Sequence, residues 1–333
     1  MNELKPYVIE IIENAIEIYK RTGISTSKNE LAKTLVVLHP DVFKNVEAAR
    51  SSIRNALHCN GPIKYSGTEQ LIRDYALMQM PVVELENIEP YVIPSIYKNA
   101  LLIADVHSLF YSPIARDLAY DYGIKRGCDC VIIDGDYMDF YGLSRFDKTP
   151  TTLERFYNER EWGIDNLQLL QKLFSKVFLK SGNHDLRRQL YFAKMGLQIE
   201  DFKELSNYED YLFFNGTTVE FIEDYRVVHY GKLNIIHGHE MNRGGGVHVA
   251  YNRLVAAFDN ICSAHSHRVQ SDTKKTINGE VYGSWSLGCM CNLNARYSPM
   301  NEWLNGFAIC QKEDNGFFEF ENKKIIGNKI FSA

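Results

Sequence analysis

The stretch Ala100-Leu101-Leu102-Ile103-Ala104-Asp105-Val106-His107 decides the fold. Its apolar run has the length of one buried strand and is followed at once by an aspartate and a histidine. Other short apolar runs also end in polar residues: Cys130 to Ile133, Val177 to Leu179 and Leu233 to Ile236. Amphipathic stretches at 113–126 and 151–176 separate these runs. The alternation predicts an α/β fold in which polar side chains collect at the carboxyl ends of strands.

The pattern changes along the chain and predicts three segments. Residues 1–66 carry helical apolar stripes, residues 67–97 form a proline-containing connector, and residues 98–333 form the larger domain. Near the end of the chain, Asn278-Gly279 and Asn315-Gly316 each lie between alternating apolar residues. This pattern predicts two β-hairpins.

The apolar pattern of residues 1–66 predicts three short helices with the spacing of a helix-turn-helix unit. The last of them would present Arg50, Arg54 and Asn55 outward, residue types that suit contacts with phosphates and base edges. These residues hold nine Lys/Arg and seven Asp/Glu, so their basic excess is small. Two interpretations stay open: a unit that binds DNA, or a helical cap that packs on the larger domain or on a second copy.

Composition and charge limit the possible partners and the cellular location. A net charge of −5 argues against a chain that coats nucleic acid non-specifically. The N-terminus lacks the pattern of a signal peptide, and no apolar stretch is long enough for a bilayer. Seven cysteines, an odd number, favour free thiols in a reducing cytoplasm, and pairs such as Cys289 and Cys291 are expected to pack in the interior. The sequence leaves the oligomeric state open.

Five short motifs occur in order, and each lies just past an apolar run. They are Asp105-Val106-His107, Gly135-Asp136-Tyr137-Met138-Asp139, Gly182-Asn183-His184-Asp185, His237-Gly238-His239 and His265-Ser266-His267. In an extended segment, residues two apart point to the same side, so Asp105 and His107 could hold one ion together. His265 and His267 would have the same geometry. The glycines of the motifs permit tight turns close to a ligand.

The residue types in these motifs predict a metal site. Carboxylate oxygen combined with imidazole nitrogen suits manganese, iron, zinc or nickel better than calcium. There are too many candidate ligands for one tetrahedral ion: Asp105, His107, Asp136, Asn183, His237, His265 and His267. Such a set fits two ions that share one bridging carboxylate, the arrangement that supports displacement at phosphorus.

Taken together, these motifs resemble those of the calcineurin-like metallophosphoesterases over roughly residues 98–310. The resemblance implies a two-sheet α/β/β/α sandwich, preceded here by the small helical domain. It implies that the protein is a metal-dependent hydrolase of phosphoric esters with two divalent ions, manganese being expected and iron, zinc or nickel being alternatives. The run from Leu287 to Ala308 also resembles the tail of members encoded by phages and prophages.

The resemblance also implies a role for each motif residue. Asp105, His107 and His267 would hold the first metal, Asn183, His237 and His265 the second, and Asp136 would bridge both. A hydroxide between the ions would be the nucleophile. His184 would protonate the leaving oxygen, with Asp139 or Asp185 orienting it. Of His237 and His239, the resemblance favours His237 as the ligand.

Three departures from the family pattern bear on the substrate. Ala264 stands where the last motif usually begins with glycine, which should cost little because alanine is small. Phe140 follows Asp139 where the protein serine/threonine phosphatases have arginine, and Asp185 stands where they have glutamate. The last two differences argue against a phosphoprotein substrate.

Residues near the motifs are candidates for binding the substrate. Arginine can hold a phosphate through two hydrogen bonds, and the candidates are Arg145, Arg187, Arg188 and Arg243, with His239 beside them. Three functions remain open. They are a phosphodiesterase or nuclease on DNA or nucleotides, a phosphatase or phosphodiesterase on small nucleotides with the helical unit as a cap, and a non-catalytic scaffold.

Overall fold

The structure is a computed structural model of the chain. It describes residues 5–22, 28–58, 89–144, 150–195, 208–212, 217–241, 246–294 and 300–333. The chain divides into two compact units, Met1–Leu85 and Glu86–Ala333. No helix within the described ranges is both long and apolar enough to cross a membrane.

The first unit contains the three predicted helices. They are α1 (Pro6–Thr22), α2 (Lys28–Leu38) and α3 (Val46–His58). Asn45 caps α3 by accepting a hydrogen bond from the Ala48 backbone N–H at 2.8 Å. Apolar side chains from all three helices and from Phe43 form one core, in which Ile12, Leu35 and Ile53 are fully buried. The prediction of a small helical region before the larger domain is therefore confirmed.

The second unit contains thirteen strands and five α-helices in the described ranges. The strands are β1 (Tyr91–Val92), β2 (Asn99–Ile103), β3 (Cys130–Asp134), β4 (Lys176–Lys180), β5 (Val219–Ile222), β6 (Val228–Tyr230), β7 (Leu233–Ile236), β8 (Ile261–Ser263), β9 (Gln270–Lys275), β10 (Val281–Ser286), β11 (Asn305–Lys312), β12 (Phe318–Ile326) and β13 (Lys329–Ser332). The helices are α4 (Pro113–Lys125), α5 (Pro150–Leu173), α6 (Arg187–Lys194), α7 (Tyr208–Leu212) and α8 (Val249–Ala257).

These strands form two sheets that pack face to face. The larger sheet has the order β13-β12-β11-β2-β3-β4-β5, and the smaller has the order β1-β6-β7-β8-β10-β9. Strands β2 to β5 run parallel, so their carboxyl ends lie at one edge. Alternate residues of β2 enter two cores: Leu101 joins the core beneath α4 and α5, whereas Leu102 joins the core between the sheets. Helix α8 covers the smaller sheet, and the predicted α/β/β/α sandwich is confirmed.

Both predicted hairpins are present. Strands β9 and β10 pair antiparallel around Asn278-Gly279, and β11 and β12 pair antiparallel around Asn315-Gly316. The predicted connector, 67–97, contains strand β1, which pairs parallel with β6. The smaller sheet therefore uses residues that precede the predicted boundary at residue 98.

Candidate metal centre

All five motifs lie in loops that leave the carboxyl ends of strands. The first three follow β2, β3 and β4 of the larger sheet, and the last two follow β7 and β8 of the smaller sheet. Backbone hydrogen bonds join these loops, since the His107 N–H donates to the Asp136 carbonyl at 2.9 Å and the Ala264 N–H donates to the His237 carbonyl at 2.9 Å. The two sheets therefore bring residues that are far apart in the chain to one edge.

The Asp105 and His107 side chains converge, but not through the extended backbone that the spacing predicted. Strand β2 has ended at Ile103, and Asp105 and His107 adopt left-handed conformations with φ of 50° and 47°. Asp136, His265 and His267 also have positive φ, which is uncommon for residues other than glycine. Strain of this kind persists where surrounding contacts hold it, and here it collects at the candidate site.

Glycines allow the close approach of these loops. Gly135 has a φ of 78°, and a Cβ there would lie 2.2 Å from Nδ1 of His237. A Cβ on Gly182 would lie 2.4 Å from the Asp136 backbone nitrogen. Only glycine fits at either position, so the loops can pack with no side chain between them.

One group of donor atoms surrounds Asp105. Its Oδ1 lies 3.3 Å from Nε2 of His267 and 3.9 Å from Nε2 of His107. The two imidazole Nε2 atoms are 3.3 Å apart. Asp105, His107 and His267 are buried, so a carboxylate oxygen and two ring nitrogens face one small volume.

A second group surrounds Asp136. Its Oδ2 lies 3.2 Å from Nε2 of His237 and 4.0 Å from Nε2 of His107, so this carboxylate stands between the two groups. His265 belongs with Asp136 and His237, because their donor atoms lie within 4.8 Å of one another. His265 and His267 therefore do not face one common ion, and the expectation that they share the geometry of Asp105 and His107 was wrong. Both residues have a left-handed backbone, as Asp105 and His107 do.

Three atoms of these groups lack a hydrogen-bond partner within the described part of the chain. Oδ1 of Asp105, Oδ1 of Asn183 and Nε2 of His237 are buried and make no hydrogen bond there. Buried polar atoms nearly always have a partner, so orphaned atoms need an explanation. Oxygen and imidazole donors converging in this way fit a pair of divalent cations.

The local electrostatics also favour positive charge. Burial raises the pKa of Asp105, but the nearby His267 outweighs it and lowers that pKa to about 2. Burial opposes the charged form of His267, yet Asp105 raises its pKa to about 10. Asp136 behaves similarly, since His184 and His237 hold its pKa well below the usual range despite burial. The carboxylates thus stay ionised and attract cations, and bound metal ions would displace the imidazole protons.

His184 lies beside the second group and contacts Asp139. Its Nδ1 donates to Oδ1 of Asp139 at 2.7 Å, and Nδ1 of His107 donates to the same oxygen at 2.8 Å. Nε2 of His184 accepts a hydrogen bond from the Arg187 guanidinium at 2.8 Å and lies 3.8 Å from Oδ2 of Asp136. Arg187 also donates to the Asp139 carbonyl at 2.8 Å. Asp139 therefore orients two imidazoles through one carboxylate oxygen.

Asp185 does not orient His184. Its carboxylate is buried and accepts hydrogen bonds from the backbone N–H of Met138 at 2.9 Å and of Gly182 at 2.8 Å. The Tyr208 hydroxyl donates to it at 2.6 Å. Asp185 therefore ties two motif loops together, and of the two acidic candidates only Asp139 has the contact that an orienting residue needs.

The candidate arginines for substrate binding lie in different environments. Arg187 lies at the site, whereas Arg188 is buried with its guanidinium 4.0 Å from the centre of the Tyr211 ring. The Arg188 charge therefore packs on an aromatic face, and its predicted contact with phosphate stays a prediction. Arg145 and Arg243 lie outside the described residues.

His239 pairs with Asp224, its Nε2 lying 3.0 Å from Oδ1 of that residue. It also lines a cavity of about 390 Å³ whose wall includes His265, Arg268 and Trp303. This cavity opens beside the second donor group and has room for part of a substrate.

Several supporting residues were missed by the sequence analysis. Oε1 of Glu159 is buried and accepts hydrogen bonds from the Ser108 hydroxyl at 2.6 Å and from the Asp139 N–H at 2.7 Å. Glu240 accepts a hydrogen bond from the His237 N–H at 3.2 Å and forms an ion pair with the fully buried Lys180 at 2.9 Å. Glu159 lies in an amphipathic helix rich in charge, where no local pattern marks it. Lys180 could have been found from the sequence, because a lysine that directly follows an apolar run indicates a buried charge.

The fold and the clustered donor atoms are those of a metal-dependent phosphoesterase. The calcineurin-like phosphoesterase family matches residues 99–269, slightly more than half of the chain, and the protein belongs to that family. Membership of this family implies that the protein is a metal-dependent hydrolase of phosphoesters. No match is found among curated proteins.

Solved structures with a similar arrangement include Vps29 from Chaetomium thermophilum and a dimetal phosphatase from Danio rerio. The first is 10% identical, with 71% of this chain and 96% of that chain covered and a TM-score of 0.35. The second is 11% identical, with 71% and 98% covered and a TM-score of 0.36.

Proposed function

We propose that the protein is a two-metal phosphodiesterase or nuclease that acts on DNA or nucleotides. The observation that carries this proposal is the position of Asp136, whose carboxylate stands between His107 and His237. A carboxylate placed between two imidazole groups can bridge two ions, and His184 lies next to it.

Seven residues would hold the ions: Asp105, His107 and His267 the first, Asn183, His237 and His265 the second, and Asp136 both. Manganese is the metal proposed for both positions, and iron, zinc or nickel are alternatives. When bound, two such ions would supply an activated water and neutralise charge on the phosphoryl oxygens.

His184 is proposed as the acid for the leaving oxygen. Asp139 accepts its Nδ1–H and would stabilise the charged ring, while Nε2 is the atom left for proton transfer. A protonated Nε2 cannot accept the hydrogen bond from Arg187. The Arg187 guanidinium would therefore turn from His184 to the substrate phosphate when the ring is charged.

The preference for nucleic acid or nucleotides is supported by residues outside the metal centre. Phe140 and Asp185 depart from the pattern of the protein phosphatases. In the helical unit, Arg50, Arg54 and Asn55 are exposed along α3, as a surface that binds DNA requires.

A second candidate is hydrolysis of small nucleotides, with the helical unit as a cap. Glu47 favours it, because its carboxylate pairs with Arg50 at 3.1 Å and with Arg54 at 2.9 Å. These pairs reduce the positive charge that α3 could offer to phosphates. A location in the reducing cytoplasm is proposed for either function, since the six described cysteines are free thiols.

Both candidates can be tested with the full chain and manganese. We expect faster turnover of bis(p-nitrophenyl) phosphate than of p-nitrophenyl phosphate, and cleavage within a panel of single- and double-stranded DNA, RNA, cyclic nucleotides and phosphomonoesters. Binding of DNA should weaken in an Arg50→Ala/Arg54→Ala variant and with rising salt. Preference for the monoester would reject the diesterase, and cleavage of small nucleotides alone would favour the second candidate.

A further inference from the structure

The cavity that adjoins the second donor group has a positively charged wall. Its volume of about 390 Å³ is in the range of sites that bind small molecules. His265, a candidate ligand, forms part of the wall, so a substrate held at the metal centre could extend into the cavity. Among the lining residues that the structure describes, Arg253 and Arg268 carry positive charge, and none is an aspartate or a glutamate. The cavity therefore suits an anionic part of a substrate.

Arg253 gives this wall a fixed positive charge. It lies on α8, is 3% exposed, and donates hydrogen bonds to the carbonyls of Met241, at 2.7 Å, and Gly238. Carbonyl oxygens satisfy its N–H groups without neutralising its charge. The nearby carboxylate of Glu240 is itself paired with Lys180 at 2.9 Å. Because Arg253 is almost fully enclosed, we assign it to the electrostatic field of the cavity and not to direct recognition.

Arg268 is the accessible arginine of the wall. It directly follows His267, and 27% of its side chain is exposed. Its Nη1 donates to the Gly246 carbonyl at 2.6 Å, and its Nη2 pairs with Oε2 of Glu302 at 2.6 Å. A guanidinium has five N–H donors, so these two contacts do not exhaust it. The Glu302 side chain is 66% exposed, and a surface ion pair of this kind is weak enough for a phosphate to replace.

We propose that this cavity binds a second phosphate of the substrate and that Arg268 recognises it. The inference rests on the proposed function, because the first phosphate would lie at the metal centre. Arginine binds phosphate through paired, charge-assisted hydrogen bonds. The second phosphate would be either the next one along a nucleic acid strand or the next one of a nucleoside diphosphate. Arg268 would thereby select substrates with two phosphates over simple esters.

Two chromogenic esters separate this subsite from the metal centre. They are the p-nitrophenyl ester of thymidylate and the same compound with a second phosphate on the free sugar hydroxyl. With the full chain and manganese, kcat/KM should be at least ~10-fold higher for the ester with two phosphates, mainly through KM. Arg268→Met should abolish most of this preference. Arg116→Met should retain it, because Arg116 pairs with Asp117 on α4 at a similar exposure of 25% and is not among the residues that line the cavity.

Removal of the carboxylate that pairs with Arg268 should have the opposite effect. In Glu302→Gln the guanidinium no longer leaves an ion pair when it binds phosphate, so the preference for two phosphates should rise by about 3-fold. This variant keeps Arg268 and tests the proposal even if Arg268→Met does not fold. A preference that falls in Glu302→Gln would contradict the assignment.

Binding measurements distinguish the two sources of the second phosphate. Calorimetry with the manganese-loaded chain compares thymidylate, thymidine with a phosphate on each hydroxyl, and thymidine diphosphate. Tighter binding of the second compound indicates a strand, and tighter binding of the third indicates a diphosphate; either gain should be lost in Arg268→Met. Equal affinity for all three compounds, or a gain that survives Arg268→Met, would overturn the proposal.

The same measurements separate failure of the subsite from failure of the proposed function. If the ester with one phosphate is hydrolysed but the second phosphate adds nothing, the proposed function stands and the subsite fails. If a second phosphate tightens binding through Arg268 but no ester is hydrolysed, the subsite stands and the proposed function fails.

Discussion

The two units of the chain bury different kinds of side chain. In the helical unit, every buried residue in the ranges 5–18 and 28–56 is apolar, and its described ion pairs lie at the surface. The second unit buries charged groups at one edge of its sheets, among them Asp105, Asp136, Asp139 and His237. The helical core needs only hydrophobic packing, whereas the buried charges of the second unit would be costly without a cation.

This difference predicts where substitutions should matter. Charged residues of the helical unit can change with little effect on chemistry, because they are solvated. Those at the sheet edge should affect metal binding, turnover or the pH dependence of stability, because each is desolvated and held by specific contacts.

The largest effect is expected from Asp136→Asn. The substitution keeps the shape and one oxygen for the His184 N–H, but removes the charge between the two donor groups. At least one ion should be lost by elemental analysis, and turnover should fall by about 10⁴-fold, which corresponds to several kcal/mol of transition-state stabilisation. Asp41→Asn, an exposed change in the helical unit, should leave both measurements unchanged. Two ions retained in Asp136→Asn would reject the bridging role.

His184→Ala comes next. Its contact with Asp139 predicts a role in proton transfer and not in metal binding, so turnover should fall roughly 10²–10⁴-fold while the metal content stays the same. His39→Ala in the helical unit is the matched histidine control. Unchanged turnover in His184→Ala would remove this residue from its assigned role, and lost metal would make it a ligand.

Much of this edge could be predicted from the sequence. Apolar runs such as Ala100 to Ala104 mark buried strands, and polar residues directly after them collect where parallel strands end. The sequence could not predict the left-handed backbone at Asp105 and His107, because positive φ there depends on loops packing from both sheets. Nor could local pattern assign Glu159, whose partners are remote in the chain.

Glu159 permits a test through pH. Burial raises the pKa of its carboxyl to about 7, from an ordinary value of 4.5. The folded protein therefore keeps this proton longer than the unfolded chain does. The associated stability is fully present below about pH 4.5 and is lost as the pH rises through about 7, by an amount of about 3 kcal/mol.

In Glu159→Gln this loss should be absent. Urea unfolding of chelator-treated protein between pH 4.5 and 8.5 would measure the difference between wild type and variant. Glu161→Gln, an exposed change in the same helix, should follow the wild-type curve. Parallel curves for wild type and Glu159→Gln would mean that the Glu159 carboxyl is ionised in the folded protein across this range.

The smallest effect is expected in the helical unit, from Glu47→Gln. This change frees Arg50 and Arg54 from surface ion pairs of 3.1 and 2.9 Å, which contribute little to stability, so Tm should shift by ~4 °C at most. If α3 binds DNA, the two freed guanidinium groups should raise affinity roughly 5-fold at low salt and steepen its salt dependence, because more phosphates are neutralised. Glu30→Gln is the matched control, since it removes an ion pair with Lys33 on α2 and leaves Glu47 in place. Equal DNA affinity in both variants and wild type, measured by mobility shift, would leave α3 as a packing helix, and turnover of a small ester should stay constant throughout.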